Sequence, residues 1–76
     1  MNKQRMKKIG EIFDKLNILK DELNIILEEE TEYYDNIPEN LQNSERATQS
    51  EDAIQIIDDA LTYLEDCTDS LEQIQQ

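Results

Sequence analysis

Asp35-Asn36-Ile37-Pro38-Glu39-Asn40-Leu41-Gln42-Asn43-Ser44 lies between two long heptad runs, and its reading decides whether they form one rod or fold back. The Pro38 ring disfavours helical geometry at Ile37, so a helix arriving from the N-terminal side stops before it. Pro38 to Leu41 suits a single helical turn, with Leu41 plugging the end of the fold. Ser44 is the expected N-cap of the next helix, with Thr48–Glu51 as a capping-box alternative one turn on. The boundaries that follow are helix 1 over about residues 3–35, a turn over 36–43 and helix 2 over about 44–74, in one domain spanning 1–76. Each helix is then about 45 Å long at 1.5 Å per residue.

Outward from the turn, apolar residues recur at heptad spacing in both directions. Before it stand Ile9, Ile12, Leu16, Leu19, Leu23, Ile26 and Tyr33; after it stand Ala47, Ile54, Ile57, Leu61, Leu64 and Leu71. Folding the chain near residue 40 sets Leu16 against Leu64, Leu19 against Leu61, Leu23 against Ile57 and Ile26 against Ile54. Glu30 then falls opposite Ser50, so even the polar interruptions coincide. The expected fold is all-α, an antiparallel two-helix hairpin of coiled-coil type.

A hairpin of this length leaves apolar residues over. On one flank of helix 2 stand Ala53, Ile56, Ala60, Tyr63, Cys67 and Ile74, and Ile18 and Ile25 of helix 1 are read onto the same side. Phe13, Leu27 and Tyr34 edge the opposite flank. Stripes this wide belong to bundles of more than two helices. The expected interface is therefore Ile18, Ile25, Ile56, Ala60, Tyr63 and Cys67, closed by dimerisation into a four-helix bundle. Near the turn, Tyr33 is expected to close the seam over Ala47 while Tyr34 lies over the helix end. Tyr34 with Asp35, Asn36 and Glu39 is the alternative, a partner-binding tip.

Charge is unevenly placed in this chain of net charge −12. Residues 1–20 hold six of the seven basic residues and two acids, while residues 21–76 hold Arg46 and seventeen acids. Folding back brings Lys3, Arg5, Lys7 and Lys8 beside Asp66, Asp69 and Glu72, and Lys20 beside Asp58. Such a surface repels nucleic acid and anionic lipid, so neither direct nucleic-acid binding nor membrane binding is expected. Glu28, Glu29, Glu32, Asp35, Glu39, Asp58 and Asp59 form a candidate acidic binding face, beside the plainer reading as a solvated surface. Glu51 and Asp52 extend it on helix 2.

Histidine is absent, which excludes Ser-His and Cys-His catalysis and histidine metal sites. Cys67 stands at helical spacing with Ala53, Ala60 and Ile74, which marks a small packing residue rather than a nucleophile. Glu28-Glu29-Glu30-Thr31-Glu32 lacks the spacing and glycine of a calcium loop. Hence no catalytic residues, no metal and no cofactor are expected. With one cysteine, no intrachain disulfide forms, and the expected compartment is the cytoplasm. No apolar run reaches the roughly 18 residues of a membrane span.

At Tyr33-Tyr34-Asp35-Asn36-Ile37-Pro38-Glu39-Asn40-Leu41-Gln42-Asn43-Ser44-Glu45-Arg46-Ala47, the chain resembles small uncharacterised acidic helical-hairpin proteins of phages and mobile elements in Gram-positive bacteria. An acidic helix, a Tyr or Phe, an Asn-x-Pro-Glu-Asn-Leu-Gln turn and a Ser-Glu-Arg helix start recur in them. The resemblance covers roughly residues 20–66 and is carried by the turn. It implies a phage or prophage origin and a small interaction protein, such as a regulator or inhibitor of a host protein, and supplies no catalytic residues. The two further functions to weigh are an acidic DNA mimic and a structural or assembly component of a phage particle.

Overall fold

The computed structural model describes residues 1–75. Helix α1 spans Lys3–Asp35, a 3-10 turn spans Glu39–Leu41, and helix α2 spans Glu45–Gln75. The two helices pack antiparallel as a hairpin, a rod of 59 × 15 × 14 Å. Its radius of gyration is 17.3 Å, where a compact domain of this length has about 11 Å. No described helix is long and apolar enough to cross a membrane.

Each helix starts on a side-chain cap. Asn2 Oδ1 accepts from the Arg5 N–H at 2.8 Å, and Ser44 Oγ accepts from the Ala47 N–H at 3.3 Å. These bonds satisfy donors that the first turn of a helix leaves without intrahelical partners. In the turn, the Asn36 N–H returns to the Glu32 carbonyl, and the Gln42 side chain donates to the Ile37 carbonyl at 2.8 Å. Ile37, not Leu41, plugs the hairpin end: Ile37 is buried, whereas Leu41 is half exposed. Leu41 ends the short turn that Pro38 begins, at the rim of a pocket with Tyr33 and Ile37.

The seam of α2 runs along Ala47, Ser50, Ile54, Ile57, Leu61, Leu64, Thr68 and Leu71, in steps of three and four. Its apolar members are those read from the sequence, with Ser50 and Thr68 completing the line. The seam of α1 is rotated from the expected one. It follows Phe13, Leu16, Lys20, Leu23, Leu27, Glu30, Tyr34 and Ile37, while Ile12, Leu19, Ile26 and Tyr33 are 45–52% exposed. Tyr34 therefore takes the seam position expected for Tyr33. The physical reason is at Lys20: its four-carbon stem lies along the seam and its ammonium leaves sideways to Glu65 Oε2 at 2.7 Å. A charged residue is thus accommodated in a line that otherwise offers Phe13, Leu27 and Tyr34.

Two polar contacts cross between the helices beside the apolar seam. Ser50 Oγ donates to Glu30 Oε2 at 2.5 Å, matching the pairing of polar interruptions expected from the sequence. Lys20 pairs with Glu65 rather than with Asp58. Among the described residues no ion pair joins Lys3, Arg5, Lys7 or Lys8 to Asp66, Asp69 or Glu72. Packing is thin throughout. Ile37 and Ala47 are the buried apolar residues of the described chain, and no large side chain is fully enclosed.

Candidate interaction face

Helical geometry and the Lys20–Glu65 pair together sort the surface into two sides. One groove is walled by Lys20, Asn24 and Leu27 of α1 and by Asp58, Leu61 and Glu65 of α2. The exposed row Ile12, Leu19, Ile26 and Tyr33 lies across the Leu16–Leu23 line from that groove. On α2, the row Ala53, Ala60, Cys67 and Ile74 lies across the seam from Glu65. Both rows therefore share the opposite side of the hairpin. The turn confirms this, because Tyr33 lines a pocket there with Ile37, Pro38, Leu41 and Arg46, and Arg46 heads the Ala53 row at heptad spacing.

One face is consequently apolar along most of the rod. Ile56 and Tyr63 widen it on α2, at 67% and 71% exposed. Cys67 is an exposed free thiol within it. Of the interface residues read from the sequence, Ile56, Ala60, Tyr63 and Cys67 come together here. Ile18 and Ile25 do not. Ile18 is two residues from both Leu16 and Lys20, and Ile25 two from both Leu23 and Leu27, so at about 100° per residue each points away from α2. The α1 part of the face is supplied instead by Ile12, Leu19 and Ile26. Sequence spacing contained that signal but assigned those residues to the intrachain seam.

The rod shape leaves much surface uncovered. The hairpin exposes 5985 Å² at 9.0 kDa, against about 4,900 Å² for a compact monomer of that mass. The excess, about 1,100 Å², is surface of every kind, acidic as well as apolar, that the rod shape leaves uncovered.

Acids dominate elsewhere. Every Asp and Glu is exposed except Glu30, which is half buried at its contact with Ser50. The candidate acidic residues do not form one surface. Glu28, Glu32 and Asp35 line a shallow groove along α1, and Asp58 lies in the Lys20 groove. Glu29 borders the apolar face, Asp59 points away from α1, and Glu39 belongs to the 3-10 turn. Among the described residues no three acids or thiols are gathered closely enough to hold a metal ion. The hydrogen bond to Glu65 holds the Lys20 ammonium's pKa above the usual 10.5, against partial desolvation and with help from the charges of Glu65, Asp21 and Asp69.

No family model, curated protein or solved structure matches this chain.

Proposed function

We propose that this chain is a small non-enzymatic protein–protein interaction module that acts by burying the apolar face of its hairpin. The observation that carries this reading is the row of half-exposed Ile12, Leu19 and Ile26 beside exposed Ile56 and Tyr63, on a rod with too little core of its own. A contiguous row of exposed apolar side chains marks an interaction site in proteins generally. Chemistry at a desolvated acid or base is not what the residues offer: histidine is lacking, and eighteen of the nineteen carboxylates are exposed. The resemblance of the turn to acidic hairpin proteins of phages and mobile elements supports a regulator or inhibitor of a host protein, working in the cytoplasm. Pull-downs from the cell of origin with the wild type and with Leu19→Glu/Ile56→Glu test the reading. A protein retained by the first and lost by the second is expected; identical retention by both overturns it.

The reverse surface favours a second reading, an acidic DNA mimic. Asp14, Asp21, Glu28 and Asp35 follow one another at heptad spacing on α1, as do Glu51, Asp58, Glu65 and Glu72 on α2. Duplex DNA as long as this 59 Å rod carries about 35 phosphates at 1.7 Å per charge. The chain has 19 acids, so one copy reaches about half that density and two side by side approach it. Competition with duplex DNA for a basic partner tests it: displacement that weakens with salt is expected of a mimic, and salt-independent binding rejects it.

A further inference from the structure

Resting on the interaction reading, we propose that a second copy of this chain covers the apolar face, related by a twofold axis perpendicular to the helices at the level of Leu19. In this four-helix bundle α1 runs antiparallel to α1 and α2 to α2.

Charge on α1 favours this arrangement. Alongside the apolar residues Ile12, Leu19 and Ile26, the rim of α1 carries Lys8, Lys15, Glu22 and Glu29 at heptad spacing. Together the two rows make a second seam in steps of three and four. Its charges are two lysines toward the open end and two glutamates toward the turn. Reversing a copy about Leu19 lays the lysines of each chain along the glutamates of the other. Leu19 is also the midpoint of Lys3–Asp35, so the same axis gives the fullest overlap of the two α1 helices.

The shape of α2 favours it too. On α2 the face alternates large Ile56 and Tyr63 with small Ala60 and Cys67. An axis between Ala60 and Tyr63 places Ile56 opposite Cys67, and Ala60 opposite Tyr63, of the other copy. Both helices agree on where that axis lies. The Glu30–Ser50 and Lys20–Glu65 contacts set the Leu19 level beside residues 61–66 of α2, where the midpoint of Ile56 and Cys67 falls. The elongated hairpin also has surface to spare: its excess of about 1,100 Å² per chain leaves room for the roughly 800 Å² that each partner contributes to a standard interface. A twofold axis along the rod would instead set each α1 on the other copy's α2, where the Lys–Glu row meets the polar and apolar edge of Gln49, Ile56, Tyr63 and Ser70.

Sedimentation equilibrium of the full chain, with helicity followed by circular dichroism, tests the proposal. The wild type is expected to be a dimer at tens of micromolar. Glu22→Lys/Glu29→Lys should keep its helicity and raise the dimer Kd by about tenfold or more, because like charges then face across the axis. An equimolar mixture with Lys8→Glu/Lys15→Glu should restore dimers, now between unlike chains, which an unfolded variant does not do. Oxidised Ile56→Cys should link chains through the introduced thiol and Cys67. The two positions are about 16.5 Å apart within one helix, beyond the roughly 7 Å Cα limit of a disulfide. A helical wild-type monomer at high micromolar concentration overturns the second copy. If Leu19→Glu/Ile56→Glu then still loses a retained protein, the interaction reading survives without it. Dimers unchanged in the charge-reversed variant overturn the axis.

Discussion

Ser50→Ala removes the hydroxyl that donates to Glu30 across the seam, at a position only 4% exposed. A hydrogen bond to a charged group contributes about 1.5–3 kcal/mol, so the single change should cost about 2 kcal/mol and about 8–16 °C in Tm for a chain of this size. Glu30→Leu alone adds roughly 1 kcal/mol of apolar burial at a half-buried site. It also strands the Ser50 hydroxyl, at about 1–3 kcal/mol, and ends slightly below the wild type. Glu30→Leu with Ser50→Ala removes both partners and keeps the apolar gain. The double variant should therefore melt at or above the wild type, with a coupling of about 2–3 kcal/mol between the sites. Thermal and urea unfolding followed by circular dichroism measure it, at one chain concentration because association shifts Tm. Additivity within about 0.5 kcal/mol would mean that Glu30 and Ser50 do not act together and that their contact does not help fix the cross-helix register.

Leu23→Ala and Leu61→Ala, both on the seam, should each cost about 2–5 kcal/mol, whereas Leu19→Ala should cost only about 1 kcal/mol at dilutions where the chain is monomeric; equal losses in urea titrations would return Leu19 to the seam. Tyr34→Ala should destabilise more than Tyr33→Ala in the same assay, reversing the order expected from the sequence alone. The Lys20 pKa is raised in the folded state, so its contribution is fully present below 10.5 and is lost as pH rises through the folded value. Lys20→Gln should accordingly lose less stability than the wild type on going above pH 10.5, as read by unfolding at a series of alkaline pH values.

The hairpin was legible because Pro38 interrupts two runs of equal length and because Glu30 and Ser50 interrupt their seams at matching places. The rotation of α1 was not. Three adjacent heptad rows of that helix are apolar: the row of Leu16 and Leu23, the row of Ile12, Leu19 and Ile26, and the row of Phe13, Leu27 and Tyr34. Choosing which flanking row completes the seam turned on Lys20, which a binary pattern counts as polar although its stem packs as an apolar chain. The same ambiguity displaced the candidate interface, sending Leu19 and Ile26 inward and leaving Ile18 and Ile25 as outward substitutes. Acidic patterning carried less information, because helical acids close in sequence point in different directions.

The separation of the seam's contacts along the chain has a kinetic consequence. Ile37 and Ala47, the buried apolar pair, flank the turn, whereas Ser50 and Glu30 are 20 residues apart and Lys20 and Glu65 are 45 apart. Going from the second separation to the third adds only about 0.7 kcal/mol of loop-closure entropy. Once the turn has formed, each further layer closes the next short gap rather than a long loop. The hairpin therefore zips from Pro38 toward the termini, and it frays in the opposite order. Amide protection from hydrogen exchange should fall from Ala47 toward Leu71, so the tip with its tyrosines stays ordered while the lysine-bearing end breathes.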